Sequence, residues 1–195
     1  MLIPTAGTTN VNAKSVRTGE IDITNILANP DVEVEKYTAE EYKTVILEDE
    51  NLTSKEKDEM IEKVDVISKQ KNAYDYWRIY DVCQVTSSYT CRPYFYTYSE
   101  FATGGYPARI IEVLNANIDR NYNGISKQFK GSLYYHLEAS NKLYWDLNGD
   151  FYNNGSTTYS GGVSIKVGGS TTVNFSISGS SNYYAYCNKY DRVTF

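Results

Sequence analysis

The second half of the chain alternates between apolar and polar residues with a period of two. The longest run covers residues 125–137, where Phe129, Leu133 and Leu137 are separated by Ser, Lys and His positions. Alternation of this length places one face of a strand in a core and the other toward water. Similar runs, bounded by turn pairs such as Asn123-Gly124, predict strands at about 76–86, 89–98, 108–118, 125–138, 142–152, 161–167, 172–178 and 183–194.

The late runs follow the same rule on either side of the turn at Gly168-Gly169. There the pattern places apolar side chains on buried faces at every second position: Val163, Ile165, Val167, Val173, Phe175 and Ile177.

Two helix starts precede the strands. Thr38 is followed three residues later by Glu41, and Thr53 by Glu56, which is the capping-box arrangement at a helix N-terminus. After the second box, apolar residues with helical spacing form one stripe, at Met60, Ile61, Val64 and Ile67. The pattern predicts a helical hairpin over residues 38–70 that either packs on the β body or precedes it as a separate small element.

The order of these elements predicts a mainly β protein: an antiparallel β-sandwich of about eight short strands, preceded by a short acidic helical hairpin. No strand–helix–strand rhythm exists, which argues against a doubly wound fold. We divide the chain into 1–13, a signal-peptide remnant or disordered leader, 14–73, an acidic leader with two helices, and 74–195, a tyrosine-rich antiparallel β domain.

The net charge of −5 is unevenly distributed. Residues 1–73 contain 9 Lys and Arg against 15 Asp and Glu, whereas the remainder is close to neutral. A basic footprint for phosphates is missing from the sequence, so we do not expect nucleic acid as a partner. No apolar run reaches the ~20 residues of a membrane-spanning helix, so a membrane partner is not expected either.

The N-terminus and the composition favour export. Val11-Asn12-Ala13 has the small residues that a signal peptidase reads, with Lys14 as the next residue; an ordinary disordered N-terminus is the alternative. A cleaved leader, an acidic helical segment and a Tyr-, Asn- and Ser-rich β domain together resemble secreted proteins of Gram-positive bacteria. The resemblance is one of general make-up, and no activity follows from it. We expect a secreted, extracellular protein.

Three cysteines occur, which fits an extracellular β domain with one disulfide. Cys83 and Cys91 lie in neighbouring strand-like runs on either side of a turn, and we predict a disulfide between them. Cys187, in the last strand, is the alternative partner of either one.

Tyrosine is the unusual component, with 20 Tyr against 6 Phe and 2 Trp. A ring with a hydroxyl suits half-wet β surfaces and stacking against a sugar or a protein partner. The alternation places two sets on outward faces, and we predict these as the ligand-binding residues: Tyr94, Tyr96, Tyr98, Tyr134, Tyr144 and Tyr152. Tyr183, Tyr184 and Tyr186 add more near the end of the chain. The alternative is that the rings only stabilise an exposed sheet face.

One oxygen-rich loop matches the first half of an EF-hand calcium loop. Asp119, Asn121 and Asn123 alternate before Gly124, so their oxygens could converge on a calcium ion. The closing glutamate position holds Lys130, and an Asx-rich turn is the alternative. No other cofactor is expected.

No catalytic residue is predicted. His136 is the single histidine and lies on a water-facing position, and Asp146 with Asp150 is the one carboxylate pair considered for glycoside hydrolysis. The favoured function is that of a secreted, non-enzymatic protein that binds a surface glycan or a protein partner through tyrosines. The alternative is a membrane-active or antibacterial protein that uses the Ser/Thr-rich hairpin of residues 156–181.

Overall fold

The computed structural model describes residues 31–70, 74–103, 105–179 and 182–195. In chain order the elements are β1 (Val32–Tyr37), α1 (Ala39–Glu48), α2 (Ser54–Ser68), β2 (Asp75–Asp81), β3 (Cys83–Thr86), β4 (Tyr89–Thr103), β5 (Tyr106–Asp119), a 3₁₀ turn (Tyr122–Gly124), β6 (Gln128–Ala139), β7 (Lys142–Tyr152), β8 (Ser156–Gly161), β9 (Ile165–Lys166), β10 (Ser170–Ser178) and β11 (Tyr183–Thr194).

The strands form two antiparallel sheets that face each other. Sheet 1 has the order β1-β2-β4-β5-β9, with β3 paired to β4, and sheet 2 has the order β11-β7-β6-β10-β8. The prediction of a mainly β, antiparallel sandwich is therefore confirmed. Two predicted strands are each divided, because residues 76–86 become β2 and β3, while the run at 161–167 is reduced to the end of β8 and the two residues of β9.

Strand β1 lies within the segment that we interpreted as an extended leader. It pairs antiparallel with β2, with Val34 opposite Ile79, and forms one edge of sheet 1. Val32 and Val34 pack against the core between the sheets. The leader is thus joined to the β body before the first helix begins.

Both helices begin as their capping boxes predict. The Thr38 hydroxyl accepts from the Glu41 backbone N–H, and the Thr53 hydroxyl accepts from that of Glu56. The apolar stripes of the helices lie on the outer face of sheet 1, where they form a second core with its tyrosines. The helical hairpin therefore packs on the β body, and the molecule has three layers: helices, sheet 1 and sheet 2.

Two close contacts distinguish the core between the sheets: one hydrogen bond that joins the sheets, and one pair of facing glycines. The buried Asp81 of sheet 1 accepts a hydrogen bond of 2.7 Å from the indole N–H of Trp145 in sheet 2. Gly131 and Gly149 lie opposite each other in β6 and β7. A Cβ on either glycine would overlap the backbone of the facing strand and the ring of Phe129. Glycine at both positions therefore leaves room for the Phe129 ring.

Candidate binding face

The first predicted tyrosine set is buried, so its assignment to an exposed face is wrong. Tyr94, Tyr96 and Tyr98 are 0%, 0% and 7% exposed. They do point outward from sheet 1, but the helical hairpin covers that side, which we call the covered face. Alternation separates the two faces of a strand, and it cannot tell a face under helices from a face under water.

The loop between the helices supplies the partners of these hydroxyls. Tyr94 and Tyr96 both donate to Oδ2 of Asp49, at 2.7 and 2.8 Å. The guanidinium of Arg78 lies 3.6 Å from the same carboxylate and within 5.3 Å of the ring centroids of Tyr80, Tyr94 and Tyr96. Burial and the negative charge of Asp49 raise the pKa of Tyr94 well above its usual range. The phenol therefore keeps its proton and remains a donor.

The second predicted set lies where the alternation places it. Tyr134, Tyr144 and Tyr152 are on the outer side of sheet 2, where no helix packs among the described residues, and all three are partly exposed. Their strand neighbours, such as Leu133 and Trp145, point into the core. The outward orientation of this set is confirmed, and ligand binding by it stays a prediction.

Strand β11 extends the same surface at the edge of the sheet. Tyr183, Tyr186 and Tyr190 are 60%, 54% and 66% exposed. The ring of Tyr183 meets that of Tyr152 at 6.1 Å between centroids. We call this surface the open face and define it by six residues: Tyr134, Tyr144, Tyr152, Tyr183, Tyr186 and Tyr190.

Tyr190 is the member that the sequence reading missed. It pairs with Asp146 in the register of β11 and β7, and its spacing of four from Tyr186 keeps it on the same side of the strand. This spacing was the sequence signal for Tyr190. It was hidden because the alternate positions of β11, such as Lys189 and Asp191, are polar as well.

Three of these rings surround one carboxylate at the centre of the open face. Asp146 lies opposite Tyr134 on one neighbouring strand and opposite Tyr190 on the other. Tyr144 lies two residues before Asp146, with its ring centroid 6.1 Å from that of Tyr134 and 6.2 Å from that of Tyr190. Oδ1 of Asp146 is buried among its neighbours and accepts no hydrogen bond. Because this oxygen is enclosed, a ligand at this surface meets the three rings, and the carboxylate acts on Tyr144 through its negative charge.

Polar side chains frame this cluster. The guanidinium of Arg192 lies 4.9 Å from the ring centroid of Tyr144, and its Nε is 3.2 Å from both carboxylate oxygens of Glu138. Burial, and next the negative charge of Asp146, raise the pKa of Tyr144. The Tyr144 hydroxyl is therefore a donor at neutral pH.

The predicted Cys83–Cys91 disulfide is not formed. All three cysteines are buried free thiols. Cys83 and Cys91 are directly opposite in β3 and β4, as the sequence suggested, and the Sγ of Cys83 lies 3.8 Å from that of Cys187 in sheet 2. Both sheets thus direct a thiol to the same place in the core, so Cys83 has two neighbouring thiols.

In the predicted calcium loop, both carboxylate oxygens of Asp119 already accept hydrogen bonds from protein groups. Oδ1 of Asp119 accepts from the backbone N–H of Asn121 at 3.1 Å, and Oδ2 accepts from Arg92 at 3.0 Å. Asn123 has a left-handed backbone, with φ of 60°. This is the geometry of an Asx turn tied by an ion pair, and calcium binding there stays a prediction. Over the described ranges, His, Cys, Asp and Glu form no group of three or more that could hold a metal ion.

The Ser/Thr-rich segment differs from its prediction at two positions. Val163 and Val167 are 64% and 51% exposed, whereas Ile165 and Val173 are buried. Strand β9 contains only Ile165 and Lys166, so the residues on either side leave the sheet and the alternation does not govern their orientation. None of the helices in the described part of the chain is long and apolar enough to cross a membrane.

His136, Asp146 and Asp150 lie on the outward alternation of β6 and β7, and the signal-peptidase pattern at residues 11–13 lies outside the described residues. Comparison with known proteins returned no match among protein-family models, curated proteins or solved structures.

Proposed function

We propose that this protein is a secreted, extracellular, non-enzymatic module that binds a surface glycan through the open face of sheet 2. The observation that carries the proposal is the cluster of the Tyr134, Tyr144 and Tyr190 rings around Asp146 on the open face. Flat rings with hydroxyls stack on the apolar side of a sugar and hydrogen-bond to its edge.

The chemistry of the open face favours a sugar as the ligand over the apolar surface of another protein. The rings are interleaved with hydrogen-bonding groups: the Tyr186 hydroxyl donates to Oδ1 of Asn148 at 3.1 Å, and Asn188 lies next to that hydroxyl. The core of a stable protein interface is usually depleted of charge. Here Asp146 and Arg192 lie within the cluster itself.

The test is retention of the purified protein on peptidoglycan and on a panel of insoluble polysaccharides, with and without calcium. The decisive variant is Tyr134→Ser/Tyr144→Ser/Tyr190→Ser. Since buried aromatic residues dominate binding energy at such sites, we expect affinity for the retained polymer to fall at least about tenfold.

The matched control removes three exposed apolar side chains elsewhere, in Leu47→Ser/Ile125→Ser/Val167→Ser. If the control loses retention equally, general adhesion explains the binding and the face is wrong. Passage through every polymer without retention would contradict glycan binding and leave an extracellular protein as the partner. Calcium-dependent retention would favour a role for the Asp119 loop.

A further inference from the structure

A groove of about 440 Å³ lies outside the open face, between α2 and the segment that joins β8 to β9. Met60 and Leu114 form its floor and are almost fully buried. Val66 and Val163 stand at its two edges and are 56% and 64% exposed. The groove therefore has an apolar floor between polar and apolar walls, and it runs along most of α2, from Glu56 to Val66.

The charge along this groove is negative. Glu56, Glu59 and Glu62 line it from α2. The one cation of the lining, Lys63, is already paired with Glu112 and donates to Ser164. Glu59 is 3.6 Å from Lys55 in an exposed ion pair, which contributes little and exchanges readily. The groove thus presents carboxylates with no lining cation left to neutralise them.

A lysine or arginine side chain suits both the apolar floor and the negative charge of the groove. Its aliphatic stem buries along apolar surface while its charged head stays in water, next to an acid. Glu56 and Val66 are ten residues apart on α2, or about 15 Å along the helix axis. An extended polypeptide covers that length with about four or five residues.

We propose that the groove binds a short, extended, basic segment of a partner polypeptide. The lysine or arginine stems of that segment lie between Val66 and Val163, and the charged heads reach Glu59 and Glu62. This site is separate from the open face and does not depend on glycan binding.

The probe is a fluorescein-labelled pentapeptide amide, Lys-Leu-Lys-Leu-Lys, measured by fluorescence anisotropy with the full chain. The comparison peptide has Gln in place of each Lys. We expect the basic peptide to bind, its affinity to fall as salt is raised, and the Gln peptide to bind at least fivefold more weakly. Equal affinity for the two peptides would contradict the charge complementarity.

The variant Glu59→Gln/Glu62→Gln should weaken binding of the basic peptide about fivefold, the effect of losing two exposed ion pairs. The control Asp58→Asn/Asp191→Asn removes the same charge from positions that do not line the groove. An equal loss in both would show nonspecific attraction to an acidic protein and overturn the site. Val163→Ser should also weaken binding, and unchanged affinity would contradict the position of the stems.

Discussion

Both outer faces of the sandwich are rich in tyrosine, but one is buried beneath the helices and the other is exposed to solvent. On the covered face, tyrosine hydroxyls donate to Asp49 and Glu112, and the helices exclude water. On the open face, Tyr134, Tyr144 and Tyr190 meet one another around Asp146, and the face is exposed to solvent. The tyrosines that donate to Asp49 and Glu112 are thus structural residues, whereas the rings of the open face keep exposed surface.

Removing the shared acceptor of the covered face should have the largest effect. Asp49→Ala leaves two buried hydroxyls and the guanidinium of Arg78 without their carboxylate. Breaking a buried ion pair from one side costs about 3–5 kcal/mol, and we expect the free energy of unfolding to fall by that amount. Urea denaturation measures it, with Glu50→Ala, the exposed neighbouring residue, as the control. A loss below 1 kcal/mol would show that Asp49 is not important for holding the helices on sheet 1.

The carboxylate of Asp81, between the sheets, should make stability depend on pH. Burial raises the pKa of Asp81 to about 6 from its ordinary value of 3.8, and its two hydrogen bonds come from neutral donors, Trp145 and the Val82 backbone. Between these values the folded state holds a proton that the unfolded chain has released. The free energy of unfolding attributable to Asp81 should therefore fall by about 2–3 kcal/mol as the pH rises from about 4 to about 6.

Denaturation of the protein and of Asp81→Asn across this pH range separates that contribution from other carboxylates. The difference in unfolding free energy between the two proteins should change with pH over the same interval. A constant difference would show that Asp81 has the same pKa in the folded and unfolded states.

A smaller change tests the contrast between the faces directly. Tyr96→Phe keeps the buried ring and removes one hydrogen bond to Asp49, so it should cost about 1.5 kcal/mol of stability. Tyr144→Phe makes the same chemical change on the open face and should stay within about 0.5 kcal/mol. Thermal or urea unfolding of the pair gives both values. Equal losses would mean that the open face is as structural as the covered one.

Most of the fold and half of the candidate site could be predicted from the sequence. Period-two alternation and two capping boxes predicted the sandwich and the helices, because both signals are local. Strand β1 was missed although Val32 and Val34 alternate with Glu33 and Glu35, since six residues before a helix resemble an irregular arm.

The covered face was misassigned for a different reason. The alternation correctly places one row of tyrosines on the outer side of sheet 1: Tyr94, Tyr96 and Tyr98. Whether that row is exposed to solvent depends on where the helices pack. The available clue was the apolar stripe of α2, at Met60, Val64 and Ile67, which requires a surface to pack on. The open face needed no such long-range information, because the described helices pack on the outer side of sheet 1 and not on that of sheet 2.

The topology of β1 has a consequence for proteolytic maturation. The helical hairpin is inserted between β1 and β2, two strands that are paired side by side in sheet 1. A protease that cuts once, before the hairpin or between its helices, leaves each fragment anchored by a strand or by a buried helix face. A cut after α2 would release the helices only together with β1, at the cost of the β1–β2 pairing and of the core beneath the helices. A single cut therefore does not by itself uncover the tyrosines of the covered face.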